Sequence, residues 1–160
     1  MDIFAHFLWT YAVYFRNKRY RLLAAFFGVF PDLLAFGPHF ILSLIGLGNH
    51  FSKQSLSSIP EYVFIGYNIS HSLIIFLIVI GIIYFITRKV PIYLGGWLLH
   101  ILIDIPSHSE LFFPTPFLWP ISNFHFNGVS WANEKFMIIN YTTLAIVYIF
   151  LFIHNKKSKK

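Results

Sequence analysis

The sequence contains no cysteine, which excludes disulfides, zinc–thiolate sites and a cysteine nucleophile. It is also poor in charge: only 11% of its 160 residues are Asp, Glu, Lys or Arg, whereas a soluble domain has about 25%. Hydrophobic residues make up 57% of the chain and aromatic residues 21%. The composition therefore predicts one domain that is dissolved in a lipid bilayer rather than in water, with membrane lipid as its surroundings.

Four segments are apolar and long enough to cross a bilayer, which takes roughly 20 residues. They are residues 21–47, 62–87, 90–106 and 131–153. Residues 2–15 are apolar but shorter, and predict a short N-terminal helix. We expect the first span to be broken near Pro31, because an interior proline removes a helical hydrogen bond and clashes with the preceding turn. The predicted fold is an all-α membrane bundle of four main spans, a single domain over residues 1–155 followed by a basic tail at 156–160.

Basic residues set the expected orientation of this bundle. They fall into three clusters, at 16–21, 88–89 and 156–160, and four spans in order place all three on the same side. Only Lys53 and Lys135 remain for the other side. By the positive-inside rule the C-terminus is cytoplasmic, in the cell membrane, and loops 48–61 and 107–130 face outward. Since the charge of +6 lies in short clusters and not on one basic face, we expect no nucleic-acid partner.

Ionisable side chains within spans are costly and usually face a partner or a water-filled cavity, so they form the candidate site. They are Asp32, His71, His100 and Asp104, with His6 and His108 near the ends of their segments. In "GWLLHILIDIPSHS", His100, Asp104 and His108 are four residues apart and would share one helical face. Imidazole with carboxylate suits zinc, iron or manganese. A cation would also offset the cost of burying the carboxylates.

Simpler interpretations of these residues stay open. A single intramembrane histidine such as His71 can be a hydrogen-bonded packing residue. Asp32 directly follows Pro31 and can cap a new helix, because Asp accepts the free amides of a first turn. The other histidines are expected in loops or at the membrane interface; they are His39, His50, His125 and His154.

Four stretches carry a resemblance to a known family. "FGVFPDLLAFGP" (27–38), "YNISHS" (67–72), "GWLLHILIDIPSHS" (96–109) and "FFPTPFLWP" (112–120) resemble the membrane-bound, predicted metal-dependent hydrolases of the YdjM type, which are in turn similar to zinc-dependent phospholipase C. The resemblance implies a helical membrane protein with a His/Asp metal centre. By position, the ligands that it implies are His6, Asp32, His71, His100 and Asp104.

The sequence departs from the family pattern at two places. A second Asp often follows the first by two residues in the family, and here that position is Leu34. A His-Arg pair often precedes the His-Ser pair, and here Gly66 and Tyr67 stand there. With fewer ligands, the site would hold one metal where relatives hold more, or would be inactive.

Two functions follow as hypotheses. In the first, the implied ligands hold a divalent metal, expected to be zinc with manganese or iron as alternatives, and Asp104 or Asp32 is the general base of a hydrolase. Tyr67 lies one helical turn before His71 and would support it, with Ser72 and His108 beside the site. The expected substrate is a lipid or lipid-linked phosphate or ester.

In the second hypothesis the protein is not an enzyme. The same residues then serve as a structural metal site or as a path for ions or protons, since proton relays in membranes also use Asp and His. A closed site with four ligands favours the structural role, and an open position beside water favours catalysis.

Overall fold

The computed structural model describes residues 1–47 and 59–157, and these residues form helices and loops without a β-strand. The all-α prediction is thus confirmed for the described part of the chain. The helices are α1 (Ile3–Val13), α2 (Arg21–Leu44), α3 (Glu61–Ser70), α4 (Leu73–Thr87), α5 (Gly95–Ser107) and α6 (Glu134–Lys157), and a 3₁₀ turn at Ile92–Leu94 leads into α5. Most of loop 48–61, with His50 and Lys53, and the end of the basic tail lie outside the described residues.

Apolar helices dominate the outer surface. Among the described residues α2 and α6 are each long and apolar enough to cross a bilayer, and α3 with α4 makes a third such segment if the bent pair counts as one span. The helix α1 and the segment 92–107 are apolar but shorter. On α6 only 11% of the most apolar window is buried within the protein, so its side chains need a nonpolar environment. The chain is therefore suited to a membrane, with two or three of the four predicted spans meeting the length criterion.

The predicted break near Pro31 is wrong. The helix α2 continues from Arg21 to Leu44 with both Pro31 and Pro38 inside it. A proline is tolerated in an apolar helix that packs among other helices. One turn before Pro31, α2 is in contact with α5, where Nδ1 of His100 donates to the carbonyl of Gly28 at 2.7 Å. Asp32 therefore lies within a helix, and the interpretation that it caps a new helix is wrong too.

The chain bends instead at His71 and Ser72, where α3 and α4 meet at 59°. Ser72 is the N-cap of α4 and its Oγ accepts a hydrogen bond from the backbone N–H of Ile75 at 3.1 Å. The backbone N–H of Leu73 donates to the carbonyl of Phe117 at 3.0 Å. The bend thus has side-chain and tertiary partners for the backbone groups that a continuous helix would have paired.

The helix α2 is central, with α1, α3 and α5 packed against it. Two glycines permit this close approach. A Cβ at Gly96 of α5 would overlap the backbone carbonyl of Ala24, and a Cβ at Gly28 would overlap the side chain of Thr10. Small residues let helix backbones come close together in a membrane, and here they bring the polar side chains of α1, α2 and α5 into one place.

The basic cluster at 16–21 lies near the segment that follows residues 88–89 and near the end of α6. Oη of Tyr14, in the α1–α2 connection, donates to the carbonyl of Ile92 at 2.7 Å, and the rings of Tyr20 and Tyr93 lie 5.9 Å apart. These contacts place the connection beside the segment that follows residues 88–89. A cavity described below joins the same connection to the end of α6.

Candidate metal centre

Four of the predicted site residues come together in the core. Asp32 from α2, His71 from the α3–α4 bend, and His100 and Asp104 from α5 each offer one ligand atom, and these atoms all lie within 4.8 Å of one another. Nε2 of His71 and Nε2 of His100 are 3.0 Å apart, and Nε2 of His100 lies 3.1 Å from Oδ2 of Asp104. Nε2 of His71 lies 3.5 Å from Oδ1 of Asp32 and 3.5 Å from Oδ2 of Asp104.

These separations match a small coordination shell. Ligand atoms at about 2.0–2.1 Å from a tetrahedral zinc ion are about 3.3 Å from one another. The distances given above run from 3.0 Å between the two Nε2 atoms to 3.8 Å between Nε2 of His100 and Oδ1 of Asp32, and all four ligand atoms lie within 4.8 Å of one another. The cluster could therefore hold one divalent cation once its ligand atoms draw closer together.

Hydrogen bonds on the far side of both rings orient the two histidines. Nδ1 of His100 faces the carbonyl of Gly28 at 2.7 Å, and because a carbonyl only accepts, this Nδ1 carries the hydrogen and the neutral ring presents the lone pair of its Nε2. Nδ1 of His71 lies 3.1 Å from the carbonyl of Tyr67 and 2.9 Å from Oγ of Ser70. When Nδ1 of His71 donates to the carbonyl of Tyr67, the lone pair of its Nε2 faces that of His100 across 3.0 Å, and a metal ion or a proton between them would relieve the repulsion.

The two oxygens of Asp104 have different surroundings. Oδ1 accepts a hydrogen bond from Nε2 of His6 at 2.9 Å and also contacts the amino group of Met1. Oδ2 has no hydrogen-bond partner among the described residues although Asp104 is completely buried. A buried carboxylate oxygen without a partner is costly, and coordination of a cation would satisfy it.

His6 lies beside the four-residue cluster and is joined to it through Asp104. Its ring stacks on His100 with the centroids 3.8 Å apart, and Nδ1 has no hydrogen-bond partner among the described residues. The structure therefore places His6 where it holds Asp104 and His100 in position, while the other four predicted ligands face one another.

The three residues predicted beside the site all contact it or its supports. The ring of Tyr67 stacks on His71 at 3.8 Å between centroids, and its Oη donates to the carbonyl of Phe113 at 2.8 Å. Ser72 Oγ donates to the carbonyl of Trp119 and so ties the bend to loop 107–130. Nδ1 of His108 lies 3.3 Å from Oδ1 of Asp104.

Within the part of the chain that the structure describes, Asp32 is the member of the cluster that reaches the surface. The side chains of His71, His100 and Asp104 are completely buried, whereas that of Asp32 is 16% exposed. Asp32 and His108 border a cavity of about 640 Å³ whose other walls are largely apolar, including Phe36, Phe40 and Trp131. A ligand can reach the metal-binding atoms from this cavity, past Asp32.

Leu34 and Gly66 stand at two positions where the sequence departs from the pattern that it resembles. Leu34 follows Asp32 by two residues on α2, which puts it on a different face of the helix, and it is 42% exposed. A Cβ at Gly66 would lie 3.2 Å from the Cα of Ala35, so α3 and α2 pack closely here and a larger side chain would require a local adjustment.

Two features of the structure were not predicted from the sequence. The carbonyl of Gly28 orients His100, and small residues at 24, 28 and 35 could have indicated the helix face where α2 is approached closely. His39 was expected in a loop or at the interface; it lies instead within α2, is 3% exposed, and its Nδ1 is 2.9 Å from Oη of Tyr62.

Comparisons of the chain with protein-family models, with curated proteins and with solved structures give no match. What the fold and the site define is a class: an all-helical, apolar chain with a buried His/Asp cluster that could hold a metal ion.

Proposed function

We propose that this protein is a membrane-embedded, metal-dependent hydrolase of the kind that its resemblance to the YdjM-type proteins implies. The observation that carries the proposal is the pair of Nε2 atoms on His71 and His100, which face each other with the unpaired Oδ2 of Asp104 beside them. This donor set suits zinc, with manganese or iron as alternatives.

The four residues of the cluster would have different roles, according to how deeply each side chain is buried. His71, His100 and Asp104 would hold the metal, because they are completely buried and fixed by hydrogen bonds on their far sides. When bound, a divalent cation supplies a Lewis acid that polarises an ester or phosphoryl oxygen and acidifies water. Asp32 borders the cavity and would take the proton from the attacking water as general base.

The cavity indicates the class of substrate. Its largely apolar walls suit the hydrocarbon part of a lipid, and its polar end at Asp32 and His108 suits a phosphate or ester group. We propose a lipid or lipid-linked phosphate or ester as the substrate.

The proposed orientation follows from the charges. Four spans, with α1 as a short N-terminal helix, would place the three basic clusters and the C-terminus in the cytoplasm. Asp32 lies 11 residues from the basic end of α2, or about 16 Å along it, so the cavity would open towards the outer leaflet.

Because the chain lacks cysteine, single substitutions Asn123→Cys and Lys156→Cys can be labelled with a membrane-impermeant maleimide in intact cells. Labelling of position 123 and not 156 is expected, and the reverse would overturn the orientation.

Metal analysis tests the centre directly. Protein purified in detergent should contain close to one equivalent of zinc, manganese or iron, and His100→Ala should contain almost none. His39→Ala is the matched control, since His39 is also a buried histidine but lies outside the cluster. Negligible metal in the unaltered protein and in both variants would overturn the proposal.

Hydrolysis is tested separately. Asp32→Asn should retain most of the metal and lose at least a hundredfold in release of product from phospholipid or activated phosphate esters in mixed micelles, the usual size of a general-base effect being about 10²–10⁴-fold. A metal-loaded protein without hydrolysis of any lipid phosphate or ester would contradict the enzymatic assignment.

A structural site or a proton site is the second candidate. Four donors can complete a closed tetrahedral shell, which is typical of structural zinc. A single proton between His71 and His100 would also relieve the repulsion of their lone pairs. Bound metal without hydrolysis would favour the structural role, and absence of metal would favour the proton.

A further inference from the structure

A second cavity lies at the basic end of the bundle, away from the metal centre. It has a volume of about 450 Å³ and is formed by the α1–α2 connection and the end of α6. Arg16, Lys18 and Arg21 line it on one side, and Phe150 and His154 on the other. Since Arg21 begins α2, this cavity is about 16 Å along that helix from Asp32.

Side-chain carboxylates do not balance the positive charge in this cavity. All six Asp and Glu side chains of the sequence lie in the described residues, and none of them lines the cavity or pairs with one of its three cations. Arg21 lies over the ring of Tyr11, with 5.2 Å between its Cζ and the ring centroid, which orients the guanidinium without neutralising it.

The start of α2 adds to the positive potential. Its N-cap, Tyr20, gives no side-chain hydrogen bond to the first turn, and that turn has no acidic residue. The positive end of the helix dipole therefore has no acidic side chain of the first turn against it, although the N–H of Arg21 donates to the carbonyl of Asn17 at 2.9 Å. Helix N-termini without an acidic side chain attract phosphate groups.

The apolar walls of the cavity favour a lipid over a free anion as the bound molecule. Phe15 and Leu151 also line it, and Phe150, which is 64% exposed, extends from the cavity onto the apolar surface of α6. A headgroup phosphate among the cations would leave its acyl chains against that surface, whereas a free anion would make no use of it. We propose that this cavity, defined here as the basic cavity, binds the headgroup of an anionic phospholipid.

The test compares lipids that differ in charge but share acyl chains. Native mass spectrometry of the full chain in neutral detergent, titrated with dioleoyl phosphatidylglycerol or dioleoyl phosphatidylcholine, should show tighter binding of the anionic lipid. Equal affinity for the two lipids would overturn the proposal. If millimolar inorganic phosphate displaces all bound phosphatidylglycerol, the site selects a free phosphate, and the lipid assignment is wrong.

Two double substitutions that remove the same charge distinguish binding in the basic cavity from the general attraction of basic residues to anionic membranes. Arg16→Gln with Lys18→Gln removes one Arg and one Lys from the basic cavity; both side chains are exposed, so the fold should survive. Arg88→Gln with Lys89→Gln removes the same charges from exposed positions outside it. We expect about tenfold weaker phosphatidylglycerol binding in the first pair and less than about twofold in the second. Equal losses in both would overturn the site.

A third variant tests the cavity without removing a cation. His154→Glu places a carboxylate opposite Arg16, Lys18 and Arg21, where it would compete with the headgroup. It should weaken phosphatidylglycerol binding as much as the first pair does while leaving metal content at the distant His/Asp cluster unchanged. Unchanged lipid binding in this variant would contradict the proposal.

Discussion

The helix α2 and the bent pair α3–α4 are similar in length and composition but differ in continuity. The first contains Pro31 and Pro38 and is unbroken from Arg21 to Leu44. The second has no proline between Glu61 and Thr87, and bends by 59° at His71 and Ser72. Proline content by itself would have placed the break in the wrong segment.

The partners of the backbone explain this difference. At the bend, loop 107–130 supplies the carbonyls of Phe117 and Trp119 as acceptors for Leu73 and Ser72, and Ser72 caps the new helix. Along α2, the close approach of α5 at Gly96 supplies His100 as a donor to Gly28. At the bend, outside groups replace the hydrogen bonds that the helix loses, and His71 can turn towards ligands on other helices.

Removal of the proposed metal should have the largest effect on the difference between α2 and the bent pair. A ligand at about 1,000 times its Kd stabilises a protein by about 4 kcal/mol, so EDTA should lower the midpoint of thermal unfolding in detergent. Because the metal would tie the bend to α2 and α5, amide exchange should rise more at residues 67–73 than in the first turns of α2. His100→Gln is the control and should not respond to EDTA. An unaltered melting curve after complete loss of metal would contradict the prediction.

Gly96→Ala should have the next largest effect. The added Cβ meets the backbone of α2 at Ala24, which cannot move aside as a side chain could, so α5 must shift. We expect a loss of about 1–3 kcal/mol in unfolding free energy together with loss of metal. Gly81→Ala on α4 meets nothing within 4 Å and should be neutral or stabilising by less than about 1 kcal/mol. Similar results for the two variants in denaturant titrations would show that α5 is not held by this close contact.

Ser72→Ala tests the bend itself. The substitution removes the cap of α4 and the link to Trp119, which should cost about 1 kcal/mol. Thr143→Ala on α6 removes an exposed side chain that bonds only its own helix, at the carbonyl of Ile139, and should change stability by less than about 0.5 kcal/mol. Circular dichroism during chemical unfolding measures both. A stability unchanged by Ser72→Ala would mean that the cap does not maintain the bend.

Pro31→Ala should have the smallest effect. Restoring the helical N–H favours α2, but removing a buried ring loses packing, so the net change should be below about 1 kcal/mol with metal content unchanged. Pro38→Ala, at an exposed position, loses no such packing and should be more stabilising. A gain near 3 kcal/mol for Pro31→Ala, or an increase in helix content by circular dichroism, would indicate that the proline does interrupt the helix.

The sequence predicted which residues belong to the candidate site but not how they are arranged in space. Asp32, His71, His100 and Asp104 stand out because ionisable residues are rare in apolar segments. The spacing of His100 and Asp104 correctly placed them on one face of α5. No local pattern relates Asp32 to His71, since they lie on different helices and meet only through packing.

What the sequence determined by itself is the helical, apolar character of the chain, the chemistry of the candidate ligands and the clustering of basic charge, because composition and short periodicities express these directly. Tertiary structure decided where a helix bends, which carbonyls orient the two histidines, and that His6 joins the cluster through Asp104. These features depend on groups such as Gly28 and Trp119 that are distant in the chain and become partners only after the helices pack.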